Sequence, residues 1–181
     1  PDGVDLDRHL IPLRDRDGAA RAHVLAVPFL RQADLPGLHL GAENGDEPAI
    51  TAAVRALHLE MTEAAVVRAG GLPLLAMGHL TCSGGLASEG AERRIMIGGE
   101  HAVPPDVFPA ELSYVALGHL HRPQSLDGGR VRYSGSAFPL SASEIVYDHG
   151  VTLIDLSDGV AHRHIPIDRP VPMHRLPPTG S

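Results

Sequence analysis

The chain has 181 residues, 43% of them hydrophobic, with a formal net charge of −7 and one cysteine. That size supports one core and predicts one domain, and a single cysteine excludes an internal disulfide. No apolar run approaches the roughly 20 residues of a membrane span, and the charged first residues are no signal peptide, so a reducing cytoplasmic compartment without membrane contact is expected. A negative balance is also a poor general surface for nucleic acid, whose phosphates are met by clustered positive charge. All 15 basic residues are arginines. Arg93-Arg94 and the set Arg122, Arg130 and Arg132 are the local concentrations, each read as solvated charge with phosphate contact as the second reading.

Residues 1 to 22 are polar and punctuated by proline and glycine. Leu10-Ile11-Pro12-Leu13 reads there as an edge strand and Asp15-Arg16-Asp17-Gly18 as a turn. His23 to Leu30 reads as a buried strand, and Pro36 to Asp46 as a loop. From Glu47-Pro48 onward, Ile50, Val54, Leu57, Met61 and Ala64 or Ala65 recur at helical spacing until Gly70-Gly71 ends the element. Asp46 is the expected N-cap, with Pro48 in the first turn, where its missing donor costs little. His39 and His58, before and on this helix, are not read as ligands.

A second apolar run, Leu72-Pro73-Leu74-Leu75-Ala76-Met77-Gly78-His79, reads as a strand ending in Gly-His, followed by a polar, glycine-rich loop from Thr81 to Glu92. Cys82 in that loop reads as a small buried or loop residue rather than a reactive thiol. Ile95 to Gly99 reads as a short strand or turn, and the prolines of Pro104 to Pro109 forbid a long helix. Leu112 to Leu117 is the next strand. Arg130 to Ser134 and Gly150 to Leu156 read as further strands, with Ser157-Asp158-Gly159 turning into Val160 to Ile167. A helix and then several strands implies α/β layers.

Histidine carries the chemistry. Tyr114-Val115-Ala116-Leu117-Gly118-His119-Leu120-His121 is an apolar run that stops at glycine and then presents two imidazoles. In extended backbone the pair shares one face, and in a tight loop, which Gly118 permits, both can still converge on one centre. The Gly78-His79 ending repeats that grammar, so two buried strands would deliver three histidines to one sheet end. His162-Arg163-His164 has the same H-x-H spelling without a leading glycine or apolar run, and reads as the solvated face of a late strand. His101 and His149 carry no motif.

From about Val24 to Leu156 the chain resembles the SbcD branch of the calcineurin-like metallophosphoesterases, nucleases of double-strand-break repair. Leu25-Ala26-Val27-Pro28-Phe29-Leu30-Arg31, Met77-Gly78-His79-Leu80-Thr81, the Tyr114 to Gln124 run and Val131-Arg132-Tyr133-Ser134-Gly135-Ser136-Ala137-Phe138-Pro139-Leu140-Ser141 carry the resemblance, in the family's order. G-H-x-H alone indicates only the superfamily; the R-Y-S-G-S-x-x-P-L-S run narrows it.

The resemblance implies an α/β fold, part of a metallophosphoesterase β-sandwich flanked by helices. Residues 1–169 would be the C-terminal half of the nuclease domain, and residues 170–181 a proline-rich tail toward a capping domain. It implies a two-metal hydrolase, with manganese the favoured ion, His79 and His119 on one metal and His121 on the other. The family's N-terminal series of D-x-H, G-D-x-x-D and G-N-H-D or G-N-H-E motifs is not present as a series, so the bridging aspartate, the asparagine ligand and the acid histidine are expected outside this sequence. No catalytic residue is therefore assigned within it, and the chain alone is expected to be inactive. DNA and an ATPase subunit of the SbcC type are the implied partners, in a homodimer or heterotetramer of the full protein. The other function class is a non-catalytic binding or assembly domain of phosphoesterase ancestry. Ser134-Gly135-Ser136 reads either as a phosphate-facing segment or as a plain glycine turn, and Glu144 as a surface carboxylate or, second, as an orienting partner for a ligand histidine.

Overall fold

The computed structural model describes residues 5–35, 48–88, 102–169, 171–174 and 176. The readings made for His39, Asp46, Arg93-Arg94, Ile95 to Gly99 and His101 lie outside the described residues. A single helical turn, α1 (Leu6–His9), leads into the edge strand β1 (Leu10–Arg14), which pairs antiparallel with β2 (Ala20–Ala26). Gly18, with φ of 84°, makes the intervening turn, and the Asp15 carboxylate accepts from the backbone N–H groups of Asp17 and Ala19. β2 thus starts and stops earlier than the apolar run suggested. The hairpin with β1 fixes its beginning, and its pairing with β3 ends at Ala26 opposite Met77.

Helix α2 (Ala49–Ala69) buries Ile50, Val54, Leu57, Met61 and Ala65, the stripe that the spacing predicts. Pro48 takes the N-cap position without a side-chain bond, and Gly70 closes the helix in the left-handed conformation that glycine adopts without a Cβ penalty. His58, buried on this helix, places Nδ1 2.8 Å from the Val54 carbonyl and its ring edge-on to Phe108.

The central sheet has six strands in the order β1-β2-β3-β4-β6-β5. β2, β3 (Leu74–His79), β4 (Tyr114–Gly118) and β6 (Val131–Tyr133) are parallel, while β1 and β5 (Gln124–Leu126) close the two edges antiparallel. β5 was not legible, because Gln124-Ser125-Leu126 is too short and polar to show a strand period. Pro104 to Pro109 holds one 3₁₀ turn, Pro105–Val107. β7 (Gly150–Asp155) and β8 (Ala161–Pro166) form a separate two-stranded sheet.

Strand alternation sends apolar side chains to both faces of the central sheet. Leu25, Leu74, Ala76, Val115, Leu117, Val131 and Tyr133 join α2 in the larger core. Ala22, Val24, Leu75 and Tyr114 form a second cluster, against which Ile154, Leu156 and Val160 of the β7–β8 hairpin pack. The architecture is therefore mixed α/β in layers: helix, mostly parallel sheet, second sheet. Burial of each large apolar side chain such as Leu57 or Leu117 contributes about 1.5–3 kcal/mol. Among the described residues, no helix is long and apolar enough to cross a membrane.

Candidate functional site

The parallel strands align their carboxyl ends at one edge, the place where open α/β sheets gather functional groups. His79 is the last residue of β3, in register with Gly118, the last of β4. A Cβ on Gly118 would lie 2.9 Å from His79 Nδ1, so only glycine lets the imidazole rest there. His119 follows with φ of 103°, a region that side-chain-bearing residues rarely occupy, at a cost on the order of 1–3 kcal/mol. That backbone brings the His119 ring 5.5 Å from the His79 ring, centroid to centroid. The Phe29 ring, just beyond β2, stands edge-on to His79 at 6.2 Å.

Leu120 then drops into the core at 3% exposure, and His121 leaves on a different course. Its Nδ1 lies 2.7 Å from Glu144 Oε1. The surface reading of Glu144 is corrected here: the side chain is fully buried, and its second oxygen accepts from the Leu140 backbone N–H at 2.7 Å. A buried carboxylate is costly unless hydrogen-bonded, and these two donors supply the compensation. His149, which no motif marked, is also buried and reaches the Glu144 carbonyl through Nε2 at 2.9 Å. The sequence signal was missing because the turn Ala142–Glu144 has no period to expose.

Ser134-Gly135-Ser136 packs against this loop. Ser136 N donates to the His121 carbonyl at 3.0 Å, and the Ser134 hydroxyl donates to Thr152. Gly135, with φ of 79°, leaves no room for a Cβ, which would sit 2.5 Å from the His121 carbonyl oxygen. The loop after β3 is held as firmly. Gln124 accepts from Leu86 N at 2.7 Å and donates to Leu86 O at 3.0 Å, while the buried Tyr133 hydroxyl donates to Leu80 O and accepts from Cys82 N. Burial pushes the Cys82 thiol up to about 11, which makes it an inert packing residue.

The arginines divide by partner. Arg130 is clamped by Asp127 and by the carbonyls of Phe108, Pro109 and Leu112, and Arg132 bonds Thr152 and Ser125. Arg122, beside His121, sits 5.6 Å over the Tyr147 ring. In the late H-x-H pair, His162 is exposed and tilts against Tyr114 at 5.7 Å. The solvated reading fails for its neighbour: His164 is only 18% exposed, and its ring covers Gly150. Its Nε2 is 3.5 Å from Asp148 Oδ2, too long for a strong hydrogen bond.

The described donors are thus two adjacent imidazoles and a third held by a carboxylate. Neutral ring nitrogens of this kind suit manganese, iron or zinc. Among the described residues, however, no group of three or more His, Cys, Asp or Glu side chains stands close enough to hold a metal ion. The described residues thus offer part of a metal ion's donor set and not a complete one.

No protein-family model matches the chain. SbcD of the SbcCD nuclease from Rhodobacter capsulatus is 74% identical over all 181 residues, which correspond to 45% of that protein. SbcD from Escherichia coli K12 is 36% identical over 165 residues, 86% of this chain and 40% of that protein. By sequence, the chain is a relative of the SbcD nuclease subunits. The Bacillus subtilis SbcD adds 42% identity over 87 residues, 47% of this chain and 22% of that protein. The chain spans less than half the length of these SbcD relatives.

Proposed function

We propose that the chain is part of an SbcD-type, metal-dependent DNA nuclease, exonuclease and endonuclease, acting by two-metal phosphodiester hydrolysis with manganese. In this reading His79 and His119 hold one ion and His121 the other, and the carboxylate, amide and acid-histidine groups come from residues outside this sequence. Two divalent ions would supply polarisation of the phosphodiester, activation of a water and stabilisation of the leaving oxygen. The chain's own residues bind and orient: Gly118 gives His79 its space, the strained His119 backbone turns one imidazole toward another, and Glu144 fixes His121. DNA and an SbcC-type ATPase are the proposed partners.

The observation that carries this reading is the approach of the His79 and His119 rings at the carboxyl ends of two parallel strands. The test is release of nucleotides from linear duplex DNA by a chain extended to the whole length of the SbcD relatives. Cleavage should require manganese and stop on chelation, whereas the 181-residue chain alone should bind manganese weakly and cut nothing. An extended protein without metal-dependent cleavage would favour a non-catalytic assembly domain instead.

A further inference from the structure

Four residues close a ring of hydrogen bonds around the loop that carries His121. Ser136 N donates to the His121 carbonyl at 3.0 Å, and the Ser136 hydroxyl lies 3.2 Å from His149 Nδ1. His149 Nε2 reaches the Glu144 carbonyl at 2.9 Å, and Glu144 Oε1 returns to His121 Nδ1 at 2.7 Å. His149 has a carbonyl acceptor at each ring nitrogen, Glu144 O at Nε2 and Ser136 O at Nδ1, the latter 3.0 Å away. With Glu144 ionised, its carboxylate only accepts: one oxygen takes the Leu140 N–H and the other the proton on His121 Nδ1.

We infer that Glu144 is the positioning residue of the histidine loop, locking His121 as its Nδ1–H tautomer so that the ligand lone pair stands on Nε2. The term ligand rests on the nuclease reading above; the tautomer does not. Glu144 can hold this role because it cannot swing away: it is fully buried, its turn is tied by Glu144 N to Ser141 O and Tyr147 N to Glu144 O, and His149 grips its carbonyl. His149 and Ser136 therefore act on His121 through Glu144 and through the backbone, in the manner of the outer groups that orient metal-binding imidazoles generally.

Long-range ¹H–¹⁵N spectra of the metal-free 181-residue chain at about pH 9, where imidazole is neutral, read the tautomer directly. His121→Gln identifies the signal. The wild-type ring should be in the Nδ1–H form, and Glu144→Ala should move it toward the Nε2–H form that free imidazole prefers. An Nε2–H signal in the wild type, or an unchanged signal in the variant, overturns the inference. The wild-type spectrum decides alone if Glu144→Ala does not fold. In the extended protein, Glu144→Ala should weaken manganese binding by about 10–100-fold, as loss of such a partner does elsewhere, and unchanged affinity would overturn the positioning role. An extended protein that binds no manganese would sink the nuclease reading and leave the tautomer result intact.

Discussion

His119-Leu120-His121 and His162-Arg163-His164 share one spelling and sit in opposite circumstances. The first pair follows the end of a buried parallel strand, where Gly118 admits the neighbouring His79 ring and Leu120 anchors the backbone in the core. The second lies within β8, on an edge hairpin, with one imidazole leaning on Tyr114 and the other covering Gly150. Alternation in β8 sends its histidines to the same side of a strand, as the simple rule demands. The loop pair breaks that rule: positive φ at His119 sends one ring to His79 and the other to Glu144. The surroundings of an H-x-H pair are therefore set by the strand end and by what it abuts, and the spacing alone carries little of them.

The sharpest way to break this contrast is mutational. In the extended protein, His119→Ala and His121→Ala should each reduce manganese-dependent DNA cleavage by about a thousandfold or more, several kcal/mol on the barrier, with circular dichroism unchanged. His162→Ala should alter neither activity nor fold. His164→Ala should cost about 1 kcal/mol of stability, since its ring is packed, and leave cleavage intact. Equal behaviour of the two pairs would remove the ligand assignment.

Glycines sharpen the same comparison at smaller scale. Gly135, by the histidine loop, and Gly159, in the β7–β8 turn, have nearly the same φ, 79° and 80°. A Cβ at Gly159 meets nothing within 4 Å, whereas one at Gly135 strikes the His121 carbonyl and Pro123. Gly159→Ala should therefore cost only the conformational penalty, about 1–2 kcal/mol. Gly135→Ala should cost clearly more in urea denaturation of the 181-residue chain, and it should displace His121. Equal midpoints would show that the loop is free to move.

A third histidine environment gives the smallest effect. Burial lowers the pKa of His58 from its ordinary 6.5, outweighing the Val54 carbonyl that favours the charged ring. The unfolded chain then binds the proton more readily than the folded one, so this group's stabilisation is complete above 6.5 and is lost as pH falls below it. His58→Leu should flatten the stability-versus-pH curve in that window. A curve of unchanged slope would assign the acid sensitivity to other groups.

Much of the site's location could be read from the chain. Two apolar runs ending in Gly-His specify two buried strands, and burial of both faces makes parallel neighbours of them. The stripe on α2 and the edge character of β1 followed from period and from Pro12. His149 was invisible and Glu144 was read first as a surface carboxylate, because a buried polar partner is spelled like a surface one until the turn that buries it is known.

Sequence by itself determined what is local: the helix period, the glycine turns, the strand ends with their imidazoles, and the relationship to SbcD. Tertiary structure decided what depends on distance through space. It put His79 opposite Gly118, moved His121 away to a buried carboxylate, and turned His164 from solvent into packing. The physical reason is that hydrogen bonds and desolvation act over a few ångströms between residues that are far apart in the chain, and no short-range pattern records which groups will meet.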